Sequence, residues 1–208
     1  MTVREFVDEH YRHFNAGTVS GAARSLTGFL SEGGQLFLTL AGAMSTAEIG
    51  RSLAQMIRTG HVAAISCTGA NLEEDVFNLL AHDAYVKVPS HEDLSPEDDL
   101  QLFERHLNRV TDVCIPEEEA IRKLEHRLMK VWSVAQAEGE SLLPHQYLYR
   151  LLTSGALKDE YQGDPSNSWV LAAAEVDLPL YVPGWEDSTL GNIFAARCSQ
   201  GKLSPDIV

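Results

Sequence analysis

AISCTGANLEEDVFNLL, residues 64–80, runs from an apolar stretch through a small-residue turn into three successive acids and an amphipathic tail. Together with the preceding residues, HVAAISC (61–67) reads as a short buried strand. Asn71 stands three residues before Glu74, a helix-capping arrangement, and Val76, Phe77, Leu79 and Leu80 supply the apolar positions of the helix that follows. On this reading Glu73, Glu74 and Asp75 fall in the first helical turn, where carboxylates are stabilised by the positive end of the helix. Acids directly after a strand-end turn also suit a ligand, and both readings stay open at this point.

The same grammar extends in both directions. QLFLTLA (35–41) is a continuous apolar run, as expected of a strand buried on both faces. Ser45-Thr46-Ala47-Glu48 has capping-box spacing and predicts a helix that runs to Gly60. Two helices, 2–15 and 19–32, are predicted upstream. Strand, turn, helix, repeated, is the pattern of a parallel α/β sheet with right-handed crossovers. Residues 86–96, with Pro89 and Pro96, read as an exposed loop, and 97–155 as a wholly helical insertion. A helix at 168–176 precedes a third buried strand, DLPLYVP, centred on 178–182. The expected architecture is one Rossmann-like α/β domain over 1–208, a parallel sheet with flanking helices and the helical insertion.

Composition bounds the function. Sixteen Lys and Arg against 30 Asp and Glu leave a net charge of −14, which argues against a nucleic-acid groove. The charge suits cationic partners, such as a polyamine or a basic protein, and equally a solubilising surface. Cys67, Cys114 and Cys198 show no CxxC spacing, no apolar run reaches membrane-spanning length, and no signal peptide is evident. A reducing, cytoplasmic setting is the expectation. The eight histidines are dispersed and predict no metal site, and there is no GxSxG elbow.

In open parallel sheets ligands bind beyond the carboxyl ends of the strands. Three loops occupy that place: AGAMST (41–46), TGANLEED (68–75) and PGWEDSTLG (183–191). Small residues let backbone approach a ligand, and the helix N-termini that follow offer N–H groups to phosphates. None of the loops matches GxGxxG or a Walker P-loop, yet three of one composition point to a nucleotide site. Backbone around Gly69 to Asn71 would take phosphate oxygens, and Asp187 ribose hydroxyls or an ammonium. Glu73 would face a cationic amine, and Trp185 either stacks on a ligand or covers the core edge.

Taken together, Ser66-Cys67-Thr68-Gly69-Ala70-Asn71-Leu72-Glu73-Glu74-Asp75, Pro183-Gly184-Trp185-Glu186-Asp187-Ser188-Thr189-Leu190-Gly191, the Ala41–Ser45 loop and Asn108-Arg109 with Pro116 resemble the deoxyhypusine synthase family. The resemblance implies an NAD-dependent transferase that oxidises spermidine and passes its aminobutyl group to a protein lysine, working as a homotetramer. It implies cofactor contacts from Ser45, Thr68, Gly69, Ala70, Glu74, Asp187 and Ser188, and substrate contacts from Glu73 and Trp185. Ala43 stands near the family's loop Asn, and Ser188 replaces the Gly after the loop Asp. The family's Gly-rich stretch with its nucleophilic lysine has no counterpart here; Lys202, in SQGKLSP, reads as solvated, so no catalytic residue is assigned. The alternative expectation is a non-catalytic nucleotide- or polyamine-binding subunit. Either way, strands lacking neighbours call for a partner, another copy or a C-terminal piece.

Overall fold

The computed structural model describes residues 1–208. The chain opens with α1 (Val3–His10), α2 (Phe14–Ser31) and β1 (Leu36–Leu40). Then come α3 (Gly50–Arg58), β2 (Val62–Cys67) and α4 (Gly69–Ala81). The middle comprises β3 (Val86–Lys87), α5 (Pro96–Glu104), β4 (Leu107–Val110) and β5 (Val113–Pro116). A π-helical turn, Glu117–Arg122, leads into α6 (Lys123–Glu138) and α7 (Pro144–Thr153). Helix α8 (Trp169–Glu175), β6 (Leu180–Tyr181) and α9 (Thr189–Ser199) complete the order.

The three predicted strands pair in parallel as β1-β2-β6, with Leu38 beside Ile65 and Ile65 beside Leu180. Side-chain alternation puts Leu38, Leu40, Ile65, Cys67 and Leu180 on one face, which enters the core with Leu72, Phe77, Leu124, Trp132 and Trp169. Phe37 and Tyr181 project from the opposite face, 59% and 53% exposed, with their rings stacked at 6.4 Å. β1 is therefore half-covered rather than buried on both faces, since its outward residues meet no packed layer. Of α1 and α2 together, Ser20 alone is buried. No helix is long and apolar enough to cross a membrane.

Residues 97–155 are not wholly helical. LNRV and VCIP form the hairpin β4–β5, and β3 joins it as an antiparallel sheet ordered β3-β5-β4. The two-residue connection Thr111-Asp112 closes it, with Thr111 at φ +56°. Leu107, Val110, Val113, Cys114 and Ile115 are residues that pack well on a pleated surface, a local preference that the flanking helical periodicity obscures. Arg109 clamps the hairpin to α5 through two bonds to Asp99, of 2.5 and 2.7 Å.

Helix starts also differ from expectation. The first helix ends at His10 and the second starts at Phe14, where φ is +53°. Ser45 to Glu48 do not cap a helix, and α3 begins only at Gly50. Helix α4 begins at Gly69, capped by Thr68, whose Oγ1 accepts from the Asn71 N–H at 3.2 Å. That three-residue shift decides how the acids are used.

Candidate functional site

With Gly69 as the first helical residue, Glu73, Glu74 and Asp75 lie in the second turn of α4, beyond the unpaired N–H groups that favour negative charge. All three are buried, at 3%, 6% and 6% exposure, so neither a solvated face nor a helix-end charge explains them. Successive helical residues point about 100° apart, and residues four apart share a face. The segment 69–75 accordingly sorts into three faces.

Gly69 and Glu73 face α9. The Glu73 carboxylate accepts from the N–H groups of Thr189 and Leu190 at 2.9 and 2.7 Å, the first two donors of that helix. A Cβ on Gly69 would overlap the Cβ of Ser188 and lie 2.9 Å from its Oγ, so glycine here admits the loop after β6. Asn71 and Asp75 face the interior between the loop after β1 and α8. Asp75 accepts from Ser168 Oγ at 2.5 Å and from the N–H groups of Trp169 and Val170 at 3.2 and 3.1 Å. Asn71 Nδ2 donates to Gly42 O at 2.8 Å, and its Oδ1 accepts from the Ser45 N–H at 3.2 Å. Ala70 and Glu74 form the third face, where Glu74 accepts from Thr46 Oγ1 at 2.6 Å.

Burial dominates the electrostatics. Desolvation pushes the Asp75 carboxyl up to about 6, against the lowering influence of its three hydrogen bonds. It raises Glu73 despite the bonds from Leu190 and Thr189, and raises Glu74 despite the Thr46 hydroxyl. Cys67 is pushed up to about 12 and is an inert core thiol.

The other predicted residues fall in two groups. Ser45 is interior: its Oγ donates to Asn71 O at 2.6 Å and accepts from Trp169 Nε1 at 2.9 Å. Thr68 Oγ1 donates to Gly42 O at 2.7 Å, and Ser188 Oγ caps α9 by accepting from the Gly191 N–H at 3.0 Å. Trp185 packs its ring 5.5 Å from that of Phe194 and is half-buried. Asp187 is exposed, with no hydrogen bond to its carboxylate. Ala70 is half-buried, and the N–H groups of Gly69 and Ala70 have no partner, whereas that of Asn71 is taken by Thr68. Glu74 and Asp187 do not converge, because Glu74 turns towards Thr46 while the loop carrying Asp187 lies against Gly69.

Sequence reasoning missed Asn71 as the tie between two strand-end loops, and Ser168 as the partner of Asp75. The signal for Asn71 is an amide three residues after a Thr at a strand end. A polar cavity of about 330 Å3 is bounded by Glu48, Arg51, Asp75, Asn78, His82 and Asp164, on the flank of α4 away from Asp187. No three His, Cys, Asp or Glu side chains are placed to hold a metal ion.

The sequence profile of deoxyhypusine synthase matches residues 7–208. A Methanosarcina mazei protein named probable deoxyhypusine synthase 1 is 30% identical over 193 residues, which are 92% of this chain and 56% of the relative. An Archaeoglobus fulgidus protein of the same name is 28% identical over 183 residues, 86% of this chain and 53% of its own. A deoxyhypusine synthase-like protein of Coxiella burnetii is 28% identical over 159 residues, 75% and 41% of the two chains. The chain thus spans about half the length of the curated relatives it matches. A crystal structure of a candidate deoxyhypusine synthase from Entamoeba histolytica superposes with a TM-score of 0.51 at 13% identity, over 82% of this chain and 49% of that one, a likeness of fold. With a profile match over nearly all its residues, the chain belongs to the deoxyhypusine synthase family.

Proposed function

We propose that this chain is the Rossmann-like, dinucleotide-binding portion of a deoxyhypusine synthase-type transferase, which moves an aminobutyl group from spermidine to an amine or a protein lysine. The observation that carries this reading is the pair of free N–H groups on Gly69 and Ala70, at the start of a thirteen-residue helix directly after a parallel strand. Such a helix end favours phosphate. The unpaired carboxylate of Asp187, in the neighbouring strand-end loop, suits ribose hydroxyls. These groups fit NAD, which when bound supplies a hydride acceptor for amine oxidation.

The residues proposed to act on ligand are narrower than the sequence suggests. Ala70 and Glu74 share the third face of α4, and the Glu74 oxygen not bonded by Thr46 has no partner in the chain. Glu73, Ser45, Thr68 and Ser188 hold the surrounding loops in place through the bonds described above. Trp185, half-buried against Phe194, stands two residues before Asp187 in the same loop. The second reading, a binding subunit without turnover, is favoured by the commitment of Glu73 to α9, which leaves no free charge there for an amine.

Calorimetry with NAD and with spermidine tests the proposal. Asp187→Asn and Glu74→Gln are each expected to weaken NAD binding by about 1–3 kcal/mol, the worth of a charged hydrogen bond. Unchanged affinity in both variants would move the site elsewhere. Mass-detected transfer from spermidine to a lysine acceptor separates the enzyme from the binding subunit.

Assembly is part of the same proposal. The exposed Phe37–Tyr181 face and the edge strand β1 are surfaces that a second copy, in a homotetramer, or a C-terminal piece would cover. Light scattering is expected to give a mass well above that of one chain. A monodisperse monomer that stays soluble would count against it.

A further inference from the structure

A second cavity, of about 320 Å3, lies where β2 and β6 end. Its walls are mainly apolar, from Leu143, Leu180, Val182 and Pro183, and it is rimmed by Tyr181. Ser66 and His145 are among the residues that line it. His145 is only 7% exposed, and its ring packs edge-on against Tyr149 at 5.0 Å. Neither ring nitrogen has a hydrogen-bond partner within the chain, and, unlike the enclosed hydroxyls of Tyr85 and Tyr161, neither is sealed from solvent. A buried imidazole left open at a cavity wall is set to meet a polar atom from outside the chain.

The backbone adds to this. His145 is the second residue of α7, a ten-residue helix, and its N–H has no partner. Leu143, before the helix, has no side-chain acceptor to offer, and Gln146 Oε1 is spent on the Leu143 N–H at 2.8 Å. Burial lowers the His145 pKa, against the raising influence of the nearby Asp177 carboxylate, which favours the neutral ring with one N–H donor. The lining residues carry three candidate donors, the His145 ring and backbone N–H groups and the Ser66 hydroxyl. No Lys or Arg lines the cavity, so a phosphate dianion lacks the cations it usually recruits. A carboxylate is satisfied by two or three neutral donors, and the apolar walls call for a non-polar body behind it.

We propose that this cavity binds an organic carboxylate with an apolar body. Its carboxylate accepts from His145 and Ser66, and its body lies against Leu143, Leu180 and Val182. The site uses none of the residues assigned above to the dinucleotide, and it shares Tyr181 with the proposed assembly face.

The test is an NMR titration of the 208-residue chain, following the His145 ring and Tyr181 signals, with benzoate, benzyl alcohol and inorganic phosphate as probes. Benzoate is expected to shift both residues saturably, and the other two probes to bind at least about tenfold more weakly. His145→Phe keeps the ring packing on Tyr149 and removes both nitrogens; a loss of about tenfold or more is expected, with unchanged circular dichroism. His145→Gln, which retains a donor, is expected to stay within about threefold of wild type. Equal binding of phosphate would reduce the site to a plain helix end, and equal binding of benzyl alcohol to an apolar pocket; either overturns the proposal. So does the absence of a saturable His145 shift, or wild-type affinity in His145→Phe. Should His145→Phe not fold, the probe selectivity of the wild type decides by itself.

Discussion

Replacing Asp75 by alanine is expected to lower the unfolding free energy by about 3–4 kcal/mol, read by urea denaturation near neutral pH. Its two oxygens accept from one hydroxyl and two backbone N–H groups at the start of α8. Each buried donor left unpaired costs about 1–3 kcal/mol, and a lost helix cap about 1 kcal/mol. All of α8 except its final Glu175 is buried, packed on α3 and α7. A loss below about 1 kcal/mol would mean that the α8 N-terminus finds other acceptors.

The same residue carries a pH signature. Burial raises the Asp75 carboxyl from its usual 3.8 to about 6. A raised folded-state pKa contributes stability that is fully present below the unfolded value and is lost as pH rises through the folded value. Roughly two pKa units correspond to about 3 kcal/mol. The stability gap between wild type and Asp75→Asn, which does not titrate, is therefore expected to be widest below pH 3.8, to narrow between pH 3.8 and about 6, and to level off above that. A gap that widens with rising pH would show that the three hydrogen bonds outweigh desolvation.

Gly69→Ala is expected to cost about 1–3 kcal/mol and to weaken NAD binding together with stability. The added methyl collides with Ser188, and Trp185 O lies 3.4 Å away, so the loop after β6 must move off α4. That movement carries Asp187 with it and strains the cap that Ser188 gives to α9. Ser188→Gly removes the colliding atoms, so the double variant should be more stable than the sum of the two single losses implies. Strict additivity would show that the two residues do not meet. The readouts are urea midpoints for all four proteins and calorimetry with NAD for the folded ones.

The placement of these residues was legible in the sequence only up to a point. Apolar runs at 35–41, 61–67 and 178–182 announced three parallel strands, although Phe37 and Tyr181 on their outward face stay exposed. The strand-end loops followed from topology. The hairpin at 107–116 was hidden because its apolar residues lie between two helical patterns, and its pairing depends on β3, some twenty-five residues upstream.

The acids mark the limit most clearly. That three carboxylates follow a small-residue turn is a property of the chain alone, as is their spacing around a helix. Their phase turned on whether Thr68 or Asn71 capped α4, two residues with similar capping chemistry, and the contact of Asn71 with Gly42 and Ser45 decided it. Glu73 and Asp75 then found their donors 116 and 93 residues further along the chain. Local sequence sets periodicity, capping and the apolar face, all short-range effects. Which buried charge meets which helix end is settled only when the layers pack, because desolvation makes an unpaired carboxylate too costly to leave in the core.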